Sequence, residues 1–497
     1  MKTTALFFSL VIGLLGVALA QTITVALDVD PPMLDPAFSN AFVDRQVQYN
    51  IYDRLLDVNE KMQIIPFLVT SWETSDDGLV VTMHLKDGVR FHDGTPLDAD
   101  AVKYNLDRAR GKGTRRTTEL NTIVSVDVLD PLTFQVVFSQ PSPAVLGAFT
   151  DRAGMIVSPA AVEHLGNEGF SQAPVGSGPF KFESRVRGDQ VVIVRNEDYW
   201  QEGKPVVERV VFKVVPDENV AVANLMSGQL DVLQTRSIAD QQLAVLQRST
   251  NVTVEVMPGI GWQGIWLNTS AAPFDDVNVR RALSAALDRD VIASVVYSGA
   301  AVPAWGPYSP ITPFNDGKVP TRDVQAARDY LAASAYPDGV TFTLSIGTGN
   351  TYQRLSEVVQ SMWAEAGITA SIEVMEYGQL LNDLDAGSYQ AGLAGWSGRA
   401  DPDQDITPFN RTGGNENMAN FSSPELDALL DEQRLAQGEA RVALLHQAVD
   451  LLRDQVPYIY LVHPAQKIAY SNDIHGLHAH PDGMIRLASV SKGNRGT

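Results

Sequence analysis

Residues 395–403 bring together side-chain types that can bind a small molecule. Within nine positions, the segment Gly-Trp-Ser-Gly-Arg-Ala-Asp-Pro-Asp carries an indole ring, a hydroxyl, a guanidinium and two carboxylates. An indole offers a flat stacking surface, and a guanidinium binds a carboxylate or phosphate through two parallel hydrogen bonds. We therefore consider Trp396, Ser397, Arg399 and Asp401 candidate ligand-binding residues. The alternative is a polar surface turn in which Arg399 pairs with Asp401.

The preceding residues predict the elements that position this loop. Their periodicity predicts alternating strands and helices at 340–346, 352–366, 369–374, 377–384 and 390–394. A βαβαβ order requires parallel strands, and the carboxyl ends of such strands form the usual ligand-binding edge. Loops 347–350 and 395–403 both follow strands of this unit. Because Arg354 begins the first helix, we predict Arg354, Arg399 and Trp396 around one crevice.

A glycine-rich segment at 259–264, Gly-Ile-Gly-Trp-Gln-Gly, matches the dinucleotide-binding fingerprint. That fingerprint works only when a helix N-terminus follows to receive pyrophosphate, and residues 265–268 have strand character instead. We predict a loop between two strands, with Trp262 near a cleft and available to a ligand. No nucleotide and no other cofactor is predicted.

Three of the eight histidines, His475, His478 and His480, fall within six residues near the C-terminus. Imidazoles at such spacing are weak candidates for metal ligands. The alternative is a solvated loop between Asp473 and Pro481.

Composition argues against several function classes. A formal net charge of −21 argues against nucleic-acid binding, which needs clustered lysine and arginine. The absence of cysteine excludes disulfides, thiolate metal sites and cysteine nucleophiles. No zinc-protease, serine-hydrolase or Walker motif occurs. A secreted hydrolase is therefore the weakest of the interpretations, and no catalytic residue is nominated.

The first twenty residues are typical of a cleavable export signal. Lys2 precedes an apolar run from 5 to 19, and Ala18-Leu19-Ala20 forms a small-residue cleavage site. The run is shorter than the roughly 20 residues of a membrane span. We predict cleavage before Gln21 and a soluble extracytoplasmic protein without a lipid-accepting cysteine.

A series of different short motifs follows one another along the chain in the same order as in one protein family. The most specific is His-Leu-Lys-Asp-Gly-Val-Arg-Phe-His-Asp-Gly at 84–94. Further motifs stand at 34–36, 50–55, 71–73, 77–78, 175–180, 198–200, 227–231, 267–269, 273–276 and 279–283. This series resembles the extracytoplasmic solute-binding proteins of ABC importers, of the oligopeptide-, dipeptide-, nickel- and glutathione-binding type.

The resemblance implies an α/β fold of two lobes, the periplasmic-binding-protein fold, with an extra α+β domain inserted in the first lobe. Lobe I would take residues 21–57, 177–264 and 466–497, the inserted domain 58–176, and lobe II 265–465. A solute would be enclosed between the lobes and delivered to ABC transporter permease subunits in the membrane. The family implies capture without bond chemistry, and we expect a monomer.

The resemblance also bears on the ligand. Peptide-binding members carry an aspartate for the ligand's α-ammonium shortly after the Gly-Trp pair, and here that position is Arg399, with Asp401 two residues later. Either Asp401 receives the amine, or a peptide-like ligand presents an anion, as in the glutathione-like branch. Arg354 resembles the helix arginine that receives a carboxylate in dipeptide binders. A nickel- or metal-complex-binding protein of the same importer class is the alternative.

Overall fold

The computed structural model describes residues 21–142, 144–238 and 240–493. The predicted export signal, residues 1–20, lies outside the described residues. Within the described ranges, no helix is both long and apolar enough to cross a lipid bilayer.

Strands occur along the whole described chain. In chain order they are β1 Thr22–Leu27, β2 Leu56–Val58, β3 Ile64–Pro66, β4 Val69–Thr74, β5 Val80–Leu85, β6 Ile123–Asp130, β7 Thr133–Phe138, β8 Phe180–Val186, β9 Gln190–Arg195, β10 Arg209–Val214, β11 Val232–Leu233, β12 Val252–Pro258, β13 Trp262–Leu267, β14 Ala301–Pro303, β15 Val340–Gly347, β16 Ile368–Met375, β17 Ala391–Trp396, β18 Tyr458–Ser471, β19 Ile474–His475 and β20 Ser491–Lys492.

Helices alternate with these strands. They are α1 Phe42–Ile51, α2 Ala99–Ala109, α3 Ala144–Ala148, α4 Pro159–Gln172, α5 Glu218–Ser227, α6 Leu243–Gln247, α7 Val277–Ala285, α8 Arg289–Val296, α9 Val324–Ala332, α10 Asn350–Glu365, α11 Tyr377–Asp385, α12 Asp403–Asn410, α13 Pro424–Gln433 and α14 Gly438–Gln455. Polar caps start several of them. Asp98, for example, accepts a hydrogen bond from the Ala101 amide at the start of α2, as its sequence position predicts.

A small antiparallel sheet forms from the segment predicted as the inserted domain. Its strand order is β4-β5-β7-β6. Alternate residues of β5 and β7, among them Met83, Phe134 and Val136, are fully buried, and they share a core with α2. The alternation follows from the strand geometry, in which successive side chains point to opposite faces.

The large sheet runs in the order β16-β15-β17-β13-β18-β11-β1-β10-β9-β8. At one end, β1 is parallel to β10 and β11. At the other end, β15 is parallel to both β16 and β17. The βαβαβ unit predicted from the sequence is therefore confirmed. Trp363 of α10 packs against this sheet and donates a hydrogen bond to the Leu283 carbonyl at 3.0 Å.

Two chain segments connect the halves of the large sheet. The long strand β18 pairs with β13 and β14 through its first half and with β12 and β11 through its second half. The other connection is β12, the loop after it, and β13. Both segments change partners at the same place, near Gly259 and Pro464. The sequence predicts a lobe boundary close to this place, and the boundaries themselves remain a prediction.

Backbone packing at this crossing leaves no room for a side chain at Gly259 or Gly261. A Cβ atom on Gly259 would lie 2.6 Å from the Pro464 carbonyl oxygen, and one on Gly261 would overlap the Trp396 carbonyl. Glycine permits such close approach. Residues 259–261 thus connect β12 and β13, as predicted, whereas Trp262 to Gly264 already belong to β13, and no helix follows to bind pyrophosphate.

We expect Leu344→Ala to destabilise the protein by about 2–5 kcal/mol, because it opens a cavity at a fully buried position of β15. Chemical unfolding followed by circular dichroism measures the change. Glu373→Ala on the exposed side of β16 is the control and should stay within about 0.5 kcal/mol of the parent. Equal losses from both substitutions would contradict the core assignment.

Candidate ligand-binding site

A cavity of about 480 Å³ lies between the segments predicted as lobes I and II. One wall comes from the end of β1, the start of α1, residues 235–238 and the start of β13. The opposite wall comes from the loop after β15, the start of α10, the start of α11 and the end of β17. The crossing at 464–467 also lines the cavity, as do Gly188, Val214, Pro216, Glu218, Tyr297 and Ala300. The two loops predicted at one sheet edge, 347–350 and 395–403, therefore both reach this cavity.

Trp262 and Trp396 line the cavity, where they belong to an aromatic cluster. Trp262 is almost fully buried and meets the Tyr460 ring edge-on at a centroid distance of 4.9 Å. Trp396 contacts Phe409 in the same manner at 4.8 Å. Its indole nitrogen donates to Asp405 Oδ1 at 2.8 Å, which fixes the plane of the ring. The cluster gives the cavity a rigid apolar surface for stacking.

Ser397 also lines the cavity, and its hydroxyl links two chain segments. It accepts hydrogen bonds from Nη1 of Arg45 at 2.9 Å and from Nη1 of Arg399 at 3.0 Å. Both guanidiniums also pair with Asp151, at 3.0 Å from Arg45 Nε and 2.7 Å from Arg399 Nε. Segments predicted to belong to lobe I, the inserted domain and lobe II meet in this network.

Electrostatics explain why the network holds. Burial opposes the charge of Asp151, but the surrounding arginines outweigh it and hold the pKa of this carboxyl well below its usual range. Burial lowers the pKa of Arg399, with Asp151 opposing that shift. The Arg399 guanidinium also lies 4.0 Å from the Trp396 ring centroid, a cation–π contact. Arg399 is therefore 5% exposed and lies behind Trp396, outside the cavity wall.

Asp401 and Arg354 lie outside the cavity wall as well. The Asp401 carboxylate is paired with Arg441 through two hydrogen bonds, at 2.6 and 3.0 Å, rather than with Arg399. Arg354 is half-buried on α10, close in sequence to Thr351 and Tyr352, which do line the cavity. The structure thus brings Trp262, Trp396 and Ser397 together, while the ligand-binding roles of Arg399, Asp401 and Arg354 remain predictions.

The three C-terminal histidines do not converge. His475 is exposed at the end of β19, His478 lies 3.4 Å from Glu255, and His480 lies 2.8 Å from Asp482. In the described part of the chain, no group of three His, Cys, Asp or Glu side chains is arranged to hold a metal ion.

The sequence interpretation missed the charged residues that line the cavity, among them Asp28 and Arg236. Asp28 follows β1, and Arg236 lies in the 3₁₀ turn Thr235–Ser237 after β11. Both sit just beyond the ends of parallel strands, which is the signal that was available. Short strands such as β11 have too few residues for a periodic pattern, so the sequence did not predict that Arg236 follows the end of a strand. Arg236 faces Phe42 on its own side and Tyr377 on the opposite wall.

Known proteins with similar sequences and folds fit this geometry. Residues 63–417 match the family described as "Bacterial extracellular solute-binding proteins, family 5 Middle". The chain belongs to this family. A family 5 protein is the solute-binding subunit of an ABC importer and works with the permease of that importer. The predicted two-lobed fold and family are thereby confirmed.

Individual relatives show the same relationship. The glutathione-binding protein GsiB of Escherichia coli O1:K1 is 30% identical over 479 residues, which cover 93% of both chains. A dipeptide-binding protein from Pseudoalteromonas sp. SM9913 in complex with Met-Leu superposes with a TM-score of 0.88 at 23% identity, covering 95% of this chain and all of that one. NikZ from Campylobacter jejuni in complex with Ni(L-His) superposes with a TM-score of 0.84 at 22% identity, covering 93% of this chain and 97% of that one.

Stability should fall in acid partly because of His463, a buried residue at the crossing. Its Nδ1 donates to the Gly261 carbonyl at 2.9 Å, and burial lowers the pKa of His463 to about 4. The folded protein therefore resists the proton that the unfolded chain accepts below about pH 6.5. The contribution of neutral His463 to the free energy of unfolding is therefore complete above about pH 6.5. As the pH falls toward about 4 it is lost, which lowers the free energy of unfolding by up to about 3 kcal/mol.

His463→Asn keeps a hydrogen-bond donor but does not titrate. We expect the variant to lose less stability between pH 6.5 and 4 than the parent, as measured by chemical unfolding at each pH. His164→Asn, at an exposed position of α4, is the matched control and should leave the pH profile unchanged. A parental profile in the His463 variant would remove this histidine from the explanation.

We expect Asp151→Asn to lower the free energy of unfolding by about 3–5 kcal/mol, since it leaves two buried guanidiniums without their shared counter-charge. Asp385→Asn is the control, because its pair with Arg115 is exposed and exposed pairs contribute at most about 1 kcal/mol. Urea unfolding compares the two. Similar losses would mean that the Asp151 network does not hold the segments together.

Proposed function

We propose that this family 5 protein captures a small peptide-like solute that carries an anionic group and delivers it to an importer permease. The observation that carries the proposal is the cavity between the two walls, which combines stacking surfaces, an arginine and an aspartate. Its volume of about 480 Å³ falls within the roughly 300–1,000 Å³ of typical small-molecule pockets. A short peptide or a compound of similar size fits such a space better than a long chain.

The comparisons support the same ligand class. Relatives at about 30% identity over nearly the whole chain are named glutathione-binding proteins, and glutathione is an anionic tripeptide-like compound. Structural neighbours hold Met-Leu or Ni(L-His). For a metal complex, the three C-terminal histidines provide no support here, because they neither converge nor line the cavity.

The predicted site residues divide into two roles in this proposal. Trp262, Trp396 and Ser397 contact the ligand directly, since they line the cavity. Arg399 acts through Trp396 and Ser397, whose orientation it fixes, and Asp401 anchors the same loop through Arg441. Arg354 supports the start of α10 next to the cavity. We further propose a monomer with neither catalytic activity nor nucleic-acid binding, exported through cleavage before Gln21.

Thermal shift against a panel of solutes tests the ligand class. Binding raises the unfolding midpoint by mass action, with about 2.7 kcal/mol gained at a ligand concentration of 100 times Kd. We expect dipeptides, tripeptides or glutathione to shift the midpoint and malto-oligosaccharides to leave it unchanged. A shift with oligosaccharides alone would show that the peptide-like assignment is wrong.

Trp396→Ala should weaken the best ligand of the panel by roughly tenfold or more, because it removes an aromatic surface worth about 1.5–3 kcal/mol when buried. Isothermal titration calorimetry measures the loss. Trp305→Ala is the matched control: this half-buried tryptophan contacts Arg453 and does not line the cavity. Equal affinities in both variants would place the ligand elsewhere.

A further inference from the structure

Asp28 and Arg236 are held side by side by one buried side chain. The Gln234 amide donates from Nε2 to Asp28 Oδ1 at 3.2 Å, and its Oε1 accepts from the Arg236 backbone amide at 2.9 Å. Gln234 is 1% exposed, so this arrangement is part of the folded core. Gln234 therefore ties the Asp28 carboxylate to the backbone of Arg236 on the same wall of the cavity, and the two charges are close enough to act on each other's pKa.

The two groups do not neutralise each other by direct contact. Among the described residues, neither Asp28 nor Arg236 forms an ion pair within 4.0 Å. They nevertheless influence one another: burial raises the pKa of Asp28, and Arg236 opposes the shift. Burial lowers the pKa of Arg236, but the neighbouring Tyr352, Tyr377 and Asp28 raise it by more, so the pKa lies above the ordinary value of arginine.

Aromatic rings fix the direction of the Arg236 guanidinium. Its carbon lies 4.5 Å from the Phe42 ring centroid and 5.7 Å from that of Tyr377. Tyr377 is stacked on Tyr352 at 6.0 Å, and both tyrosines line the opposite wall. A guanidinium held between rings is pre-organised for a planar carboxylate.

Other charged residues of the cavity wall have contacts of their own. These residues are Asp30, Glu218, Glu376 and Lys467. Asp30 pairs with Arg185 at 2.8 Å, Lys467 donates to the Ile238 carbonyl at 3.1 Å, and Glu376 accepts from the Gln379 amide as the cap of α11. Asp28 and Arg236 have contacts as well, but they differ from these residues in that one buried side chain, Gln234, bonds to both of them, and we take them as the charges that receive a ligand.

We propose that this pair recognises an α-amino-acid head group, in which an ammonium and a carboxylate share one carbon. The carboxylate binds Arg236 and the ammonium binds Asp28. The inference rests on the proposed function, which it narrows. An ordinary α-linked peptide cannot satisfy the pair with either end, because its amine stands next to an amide and its carboxylate is at the far end. A γ-linked glutamyl peptide carries the required head group and leaves its remaining residues for the aromatic surfaces.

Two isomeric dipeptides test this head-group recognition. γ-Glu-Ala and α-Glu-Ala have the same composition and net charge, but only the first has its ammonium and a carboxylate on one carbon. We expect the parent protein to bind γ-Glu-Ala at least roughly 30-fold more tightly in calorimetry, because the α-isomer leaves a buried charge unpaired. Free L-glutamate is a third probe, and it should bind more weakly than γ-Glu-Ala if the remainder of the cavity contacts the peptide.

Neutral variants assign the preference to the two residues. In Asp28→Asn and in Arg236→Gln we expect the γ-to-α preference to fall to about threefold or less, while Arg236→Lys keeps part of it. Arg328→Gln, at an exposed position of α9, is the control and should keep the full preference. Far-ultraviolet circular dichroism and the unfolding midpoint confirm that each variant is folded.

The outcomes separate the two proposals. If both isomers bind the parent equally, or if the preference survives in both neutral variants, the head-group inference is wrong while the peptide-like function stands. If glutamate binds as tightly as γ-Glu-Ala, the head group is supported and the solute is a free amino acid. If neither isomer binds but another peptide of the thermal-shift panel does, the head-group inference is wrong while the peptide-like function stands. If no isomer, no glutathione and no other peptide of that panel binds, the proposed function itself fails.

Discussion

The crossing of two chain segments near Gly259 and Pro464 places the whole binding site. β18 and the β12–β13 connection change partners at the same point, so the two halves of the large sheet are joined there by both segments. The cavity walls extend from the strand ends on either side of it. Residues 464–467, Gly261 and Trp262 belong both to the crossing and to the cavity wall, so a solute in the cavity would lie directly against the connection between the two halves.

A second constraint comes from burying charge where three segments meet. Asp151 serves two arginines, and Ser397 accepts hydrogen bonds from the same two. The geometry of the cavity wall therefore depends also on Asp151, Arg45 and Arg399, none of which lines the cavity. Trp396 shows this clearly: one face of the loop presents its ring to the cavity, and Arg399 and Asp405 determine how the ring is oriented.

Much of this architecture followed from the sequence because it rests on local periodicity. The βαβαβ unit, the cap at Asp98 and the position of Trp262 all depend on short-range patterns. The partners of Arg399 did not follow, since Asp151 is 248 residues away in the chain and nothing local distinguishes it from other acidic residues (399 − 151). For the same reason, the sequence interpretation paired Asp401 with the wrong arginine in its surface-turn alternative, and it missed Arg236, whose role depends on aromatic rings from two distant segments.

The position of Arg236 between Phe42 and Tyr377 bears on which solutes would be delivered to the permease and which would only occupy the cavity. A solute that touches both walls gains free energy from their approach and shifts the population toward the closed state. A solute that reaches only one wall gains nothing from closure, however well it stacks on Trp396. Such a compound would occupy the cavity without being handed on, and it would slow import of the true solute. Under the proposed function, selectivity would therefore be exercised at closure as well as at binding.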